Sequence, residues 1–245
     1  MMAKIKRNNV SPKGDPKTNW NRNIFIIFAV VLAVGMVGSY MMILFNPSEY
    51  HDNTQAVSAG NMVTVGYTIF DDYGYPVLTT FEEVVQEAAA QNFTILLSPP
   101  IEMPAGTGIN ETDILSIPTD PEVPGFDKFG LLGFEFNSIS SQIIGIEAGA
   151  GANIPFDYGG VELLYNISRD DFNNLYKDAG IDFSQLQEGS KLTIGIATTP
   201  TITVDDAVAP TNNFRIATVA QKGDDYAILK NSYPGAQVFV LNIEK

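Results

Sequence analysis

The sequence has no cysteine, one histidine and one tryptophan in 245 residues. Without thiols there are no disulfides, no Cys-bearing zinc sites and no cysteine nucleophile. A single imidazole leaves too little for a His-based metal cage, and a Ser-His-Asp hydrolase would have to use His51. That residue lies in a polar stretch with no Gly-x-Ser-x-Gly elbow to partner it, and reads as a solvated linker histidine. Cations are also scarce, 14 Lys and Arg against 28 Asp and Glu. What is plentiful is apolar: 45% of the residues are hydrophobic, which excludes a disordered chain and leaves room for one or two ordinary domains.

Charge is segregated along the chain. Residues 24–45 form 22 consecutive positions without a charge. At about 1.5 Å per residue they span roughly 33 Å as a helix, enough to cross a bilayer. A cleaved signal peptide is the competing reading, but its apolar core is shorter and ends in a small-x-small site, whereas Tyr40, Met41 and Met42 follow Ser39 here. Six basic residues precede the run against Asp15 alone, so the positive-inside bias predicts a cytoplasmic N-terminus. The outer part then keeps eight basic and 27 acidic residues, a formal charge of −19, which excludes nucleic acid as a partner. Three Asn-x-Ser/Thr sequons, at Asn92, Asn110 and Asn166, fall in this part, as expected of an externally glycosylated protein.

Residues 46–60 are polar without periodicity and read as a stalk. From Met62, alternation of Val63, Val65, Tyr67 and Ile69 with smaller residues predicts a strand with those four on one face. Thr80 and Glu83 have the spacing of a capping box and predict a helix through about Ala90, followed by a strand over Phe93 to Leu97. Six prolines within residues 98–125 predict a long surface excursion without regular pairing. Ser138 or Ser140 is expected to cap a brief helix through Ile146, and Ser168 a helix through Asp178 with Phe172, Leu175 and Tyr176 on one face. Gly149-Ala150-Gly151 enters a strand and is followed by no Lys-Ser/Thr, so it is a turn and not a phosphate loop. Four strand-like runs separated by turn signals complete the chain, the pattern of an antiparallel sheet. The pairs Asp71-Asp72, Asp170-Asp171, Asp205-Asp206 and Asp224-Asp225 lack the spaced ligands and glycine of a calcium loop and read as solvated turns.

The opening VTVGYTIFDDYGYPVLTT resembles the first hairpin of FKBP-type peptidyl-prolyl isomerases, a V-x-V-x-Y-T strand, a turn and a V-F-D-T/S strand. DFSQLQEGSK, followed by FRIATVAQKGDDYAILKNSYPGAQVFVLNIEK, is similar to the inserted flap of the SlyD-like subgroup, with Asn231, Pro234, Gly235 and Ala236 keeping much of its Asn-His-Pro-Leu-Ala-Gly turn. Gly145 to Ala150 resembles the turn after the family's short helix, so the likeness covers about residues 61–245. It implies an α+β fold: a mostly antiparallel FKBP-like half-barrel with short helices and a β-rich inserted domain, preceded by one transmembrane helix. The implied boundaries are a basic tail at 1–23, the membrane helix at 24–45, the stalk at 46–60, the FKBP-like domain at 61–165, the insert at 166–236 and a closing strand at 237–245.

By the same resemblance the prolyl pocket maps onto Tyr67, Leu78 where the family has Phe, Thr79 where it has Asp, Phe136, Ile139 in place of the floor aromatic, and Phe239. Trp20 lies in the tail and cannot serve as that floor. Prolyl isomerisation uses neither metal nor cofactor; an apolar cleft lowers a barrier of about 18–20 kcal/mol by holding the twisted amide. The missing carboxylate at Thr79 points to slow catalysis, and Tyr67, Ile139 and Phe239 are equally what a half-buried strand or helix would bury. The expectation is therefore a membrane-anchored, outward-facing isomerase and chaperone for unfolded or proline-containing exported chains, with apolar residues of Phe214 to Leu229 offering a strand edge to clients. The alternative is a catalytically inactive FKBP-like surface binding or structural module. A solute-binding or hydrolytic ectodomain has neither α/β alternation nor a nucleophile-base pair behind it.

Overall fold

The computed structural model describes residues 55–91, 93–126, 128–177, 180–197 and 212–244. The basic tail, the apolar run 24–45, His51, Asn92 and Asp205-Asp206 lie outside them. Among the described residues no helix is long and apolar enough to cross a membrane.

The fold is α+β, with mostly antiparallel pairing in two six-stranded sheets. The first sheet holds β1 (Met62–Phe70), β2 (Pro76–Thr79), β3 (Leu96–Leu97), β4 (Ile101–Pro104), β7 (Gly151–Pro155) and β12 (Gly235–Glu244). Its order is β3-β2-β1-β12-β7, with β4 also pairing β1. The alternation from Met62 has the expected effect: Val63, Val65, Tyr67 and Ile69 are buried on one face. Ala236, Val238 and Val240 of β12 join them, and all pack with Phe136, Ile139 and Ile143 in one core. That core starts before β1, because Val57 is buried and its N–H donates to the Ile146 carbonyl at 2.9 Å, so the segment read as a stalk ends in the domain.

Three local expectations are corrected. Residues 98–125 contain two strands, β4 on β1 and β5 (Ile114–Ile117) on β6 (Lys128–Leu132). Pro99 and Pro100 precede β4, Pro104 ends it and Pro118 follows β5, so the prolines bound the strands without removing an interior donor. Helix α1 (Glu82–Ala90) starts after Phe81 with no side-chain cap; the Thr80 hydroxyl instead accepts from the Tyr67 N–H at 2.9 Å. Helix α2 (Gly133–Gln142) begins five residues before Ser138, which, like Ser140, is buried inside it. Gly133 permits this start, since a Cβ there would lie 2.0 Å from the Asn110 carbonyl oxygen. Ser140 Oγ turns outward from the helix and donates to the Pro104 carbonyl at 2.7 Å.

The second sheet runs β5-β6-β10-β11-β8 with β9 also on β10, where β8 is Leu164–Ser168, β9 Lys191–Ala197, β10 Asn212–Lys222 and β11 Tyr226–Lys230. Its β6–β10 contact is parallel. Helix α3 (Arg169–Leu175) is capped by Ser168, whose Oγ accepts from the Asp171 N–H as the sequence predicts. Leu175, however, is 68% exposed and does not share the buried face of Phe172. A second core, made of Ile167, Phe172, Phe183, Leu186, Leu192, Ala217, Val219, Ala227 and Leu229, is drawn wholly from this part of the chain.

The turn between β1 and β2 ties the sheets together. Asp71 accepts from the N–H groups of Tyr73 and Tyr75 at 2.8 and 2.9 Å, and its other oxygen is paired with Lys191 of β9. Asp72 pairs with Lys230 of β11 at 2.8 Å. The Asp71 side chain is 2% exposed and that of Asp72 34%, so the two carboxylates, both read as solvated, differ in kind. Asp71→Ala, which orphans two N–H groups and an ammonium, is expected to cost about 1–3 kcal/mol. Asp72→Ala should cost less than about 1 kcal/mol, as an exposed pair does. Urea unfolding of the two variants beside the parent measures both.

Candidate functional site

Of the six residues assigned to a prolyl pocket, four, Tyr67, Leu78, Phe136 and Ile139, lie in the first core. Tyr67 on β1 and Leu78 and Thr79 on β2 are each 0% exposed. The Tyr67 hydroxyl is 2.8 Å from Ser98 Oγ, and burial raises its pKa well above the usual phenol value. Thr79, standing where the family has Asp, shares a 2.8 Å hydrogen bond with Thr68 Oγ1 and accepts from the Phe81 N–H. Phe136 and Ile139 are buried on α2. Thr79 and Phe239 are the exceptions. Paired residues share a face, and Thr79 pairs with Thr68, which faces away from Tyr67 and Ile69; Phe239 pairs with Gly66 while Tyr67 pairs with Val238, so Phe239 projects, with Thr79, from the opposite side of the sheet. There it meets Phe81 edge to face at 5.3 Å.

The structure thus packs Tyr67, Leu78, Phe136 and Ile139 together as core and leaves Thr79 and Phe239 on the other face of the sheet. A shallow depression of about 410 Å³ lies beside Thr80, Glu82, Ser98, Pro99, Pro118 and Asp120. Ser98 separates the Tyr67 hydroxyl from that depression.

The densest polar arrangement is one the sequence reading passed over. Arg215 of β10 and Glu135 in the first turn of α2 form an ion pair with both side chains 0% exposed. Arg215 Nη1 donates to Glu135 Oε2 at 2.9 Å and to the Gly130 carbonyl at 2.7 Å. Nη2 donates to Glu135 Oε1 at 2.6 Å and to the Asn231 carbonyl at 2.7 Å, and Nε also donates to Asn231 at 3.0 Å. All five guanidinium N–H groups are therefore used. The carboxylate accepts in addition from the Tyr158 hydroxyl at 2.6 Å and the Leu132 N–H at 3.0 Å. Tyr158 accepts in turn from the Tyr233 N–H at 2.9 Å, and Arg215 lies 4.5 Å over the Tyr233 ring and 5.6 Å over that of Phe129.

Burial works against the Arg215 charge, but the adjacent carboxylate and the tyrosine oxygens hold its pKa above the ordinary arginine value. Desolvation, aided by the Glu135 charge, raises Tyr158, and desolvation pushes Tyr233 up to about 12. The arrangement holds two elements of the first core and two of the second sheet in one geometry. Its acceptors are occupied by protein donors, so it is a structural centre and not a general acid or base.

Two surface features remain. Strands β10 and β11 are interior to their sheet, so Phe214 to Leu229 offers no free edge, contrary to expectation. Strand β8 is one of the sheet's edges: like β5 and β9 it pairs with a single strand among the described residues, here β11, and Leu164 and Tyr165 on it are 47% and 52% exposed. Two sequons are exposed, Asn110 in the β4–β5 loop and Asn166 on β8. No group of three or more His, Asp or Glu side chains among the described residues could hold a metal ion.

Comparison of the chain with protein-family models gives no match, and comparison with curated proteins gives none either. The buried pair had a visible signal nonetheless. Glu135 and Arg215 are single charges inside apolar runs, FGLLGFEF and FRIATV, where a strand or helix otherwise buries hydrocarbon.

Arg215→Met leaves the Glu135 carboxylate buried without its cation and should cost about 3–5 kcal/mol, whereas combining it with Glu135→Leu should recover most of the loss. Denaturant unfolding of the single and double variants decides this. The three buried tyrosines also set an alkaline limit. Their folded pKa values are raised, so their contribution to stability is complete below the unfolded value of about 10 and is lost as pH climbs from there toward the folded values. In a phenolate absorbance titration Tyr67, Tyr158 and Tyr233 should ionise only together with unfolding.

Proposed function

We propose that the chain is a membrane-anchored, outward-facing FKBP-like module that binds extended polypeptide and has little or no prolyl isomerase activity. What supports the FKBP-like part is the motif order in the sequence, together with a second core drawn from within residues 166–236. The observation that favours binding over catalysis is that Tyr67, Leu78 and Ile139 are each 0% exposed within one core, leaving no apolar cleft among them in which an amide would twist. The partner is an extended segment of an exported protein added along β8, where main-chain groups give affinity and Leu164 and Tyr165 supply apolar contact. The formal charge of −19 outside the tail favours basic segments and disfavours phosphate-rich ones.

The test uses the full-length protein in detergent micelles. In a protease-free assay of cis-to-trans relaxation of a short X-Pro peptide it should give no more than the uncatalysed rate. Binding of an unfolded, basic client should be measurable by fluorescence anisotropy and weaken several-fold in Tyr165→Lys, while Tyr73→Lys, on a different exposed site, should leave it unchanged. Acceleration abolished by Tyr67→Ala would reinstate the isomerase, and client binding indifferent to Tyr165→Lys would remove the β8 edge from the proposal.

A further inference from the structure

We infer that, of the two sequons whose asparagine is described, Asn110 is a glycan acceptor in the folded domain and Asn166 is not. The inference rests on the outward-facing topology proposed above, but the chemistry is local to each sequon. Transfer joins the Asn Nδ2 to the anomeric carbon of a diphosphate-linked sugar. The C–O bond to the diphosphate breaks, the diphosphate leaves with the electron pair, and the Nδ2 proton passes to a base of the transferase. The acceptor tripeptide must therefore present its carboxamide and its Ser or Thr hydroxyl to an external enzyme at the same time.

At Asn110-Glu111-Thr112 all three residues are exposed in the loop between β4 and β5. Asn110 Oδ1 accepts from the Thr112 N–H at 3.2 Å and from Thr112 Oγ1 at 3.1 Å, so hydroxyl and carboxamide lie side by side, and no bond to Asn110 Nδ2 is found among the described residues. The loop is held from behind. Asn137 of α2 clasps Ile109 through its N–H at 2.8 Å and its carbonyl at 2.9 Å, and the Asn110 carbonyl, packed on Gly133, accepts from the Asp113 N–H at 2.9 Å. The acceptor is thus presented in one conformation without any backbone having to unpair.

Asn166-Ile167-Ser168 is built in the opposite way. Asn166 and Ser168 are in the β8–β11 ladder, opposite Ile228 and Tyr226, and Ile167 is buried in the second core. The Ser168 hydroxyl is committed to the α3 cap, donating to Asp171 Oδ2 at 2.6 Å and accepting from the Asp171 N–H at 3.1 Å. Modification here would require strand β8 to leave the sheet and the cap to open.

The purified full-length protein, folded in detergent, is incubated with a single-subunit oligosaccharyltransferase and a lipid-linked oligosaccharide, and modified peptides are mapped by mass. The expected result is an oligosaccharide on Asn110 and none on Asn166. It should be lost in Asn110→Gln and Thr112→Val, kept in Thr112→Ser and Asn166→Gln, with Asn166 becoming an acceptor only when the chain is unfolded in denaturant before dilution. A control acceptor is made by Gly159→Asn with Val161→Thr, at an exposed turn whose φ of 63° suits Asn. An unmodified Asn110 beside a modified control, or Asn166 modified in the folded chain at a rate equal to Asn110, would overturn the inference. Because the transferase is added to purified protein, these outcomes do not depend on topology. The topology is read separately, from whether the same Asn110 glycan is present on protein made in a host whose transferase acts only outside the cytoplasm.

Discussion

The ion pair between Arg215 and Glu135 is the constraint on which the two halves of this fold depend. A guanidinium and a carboxylate, both 0% exposed, are tolerated only because every N–H of the one and both oxygens of the other find partners. Those partners come from the end of β6, the first turn of α2, the loop carrying Tyr158, strand β10 and the segment between β11 and β12. Shifting any of these elements by an ångström would strand a buried charge. The pair therefore acts less as a source of net stability than as a specification of how the sheets meet, the role in which buried polar networks are most useful.

That specification bears on what the molecule can do. An isomerase cleft has to be empty and walled by apolar groups until a substrate enters. Here the space at the start of α2 is occupied by Arg215, packed against the stacked rings of Phe129 and Tyr233. Further along the same helix Ile139 packs directly into the core with Tyr67 and Leu78. A core closed in this way rewards stability and geometry, and backbone groups and side chains such as Tyr165 face solvent only at the rim and the sheet edges, where the proposed binding would take place.

The sequence made strands and their faces readable where a period of two met a buried surface. Val63 to Ile69 alternate because every second residue enters the core, and the bounds of β1 follow directly. It misled where a residue type has two uses. Prolines at 99, 100, 104 and 118 read as strand breakers, yet they flank β4 and β5. Ser138 and Ser140 read as caps, yet their hydroxyls bond back to the Phe134 carbonyl and across to that of Pro104, from inside a helix. The candidate pocket shows the same ambiguity. Large apolar residues at strand spacing mark a core and a cleft equally, and only the three-dimensional register, Gly66 opposite Phe239 and Thr68 opposite Thr79, reveals that two of the six face away. Long-range partners such as Arg215 and Glu135, 80 residues apart, leave no local trace beyond a charge in an apolar run.

The few cations of the domain explain how so acidic a chain stays compact. Residues 166–236 hold six of the eight basic residues outside the tail but only nine of the 27 acidic ones, so the rest of the outer chain carries most of the negative charge. Each of three strands in the second sheet sends one cation to a carboxylate of the other part: Lys191 of β9 to Asp71, Arg215 of β10 to Glu135, and Lys230 of β11 to Asp72. The polarity is the same in every case. Self-repulsion that would loosen an evenly acidic surface is thereby converted into attraction between the two layers, with the most buried pair at the centre and the partly exposed pairs at the β1–β2 turn. Salt should weaken the outer pairs well before the central one, because screening acts on groups that water reaches. The junction is therefore graded, firm where it fixes the geometry of α2 and β10 and softer where the turn at Asp71 and Asp72 meets the second sheet.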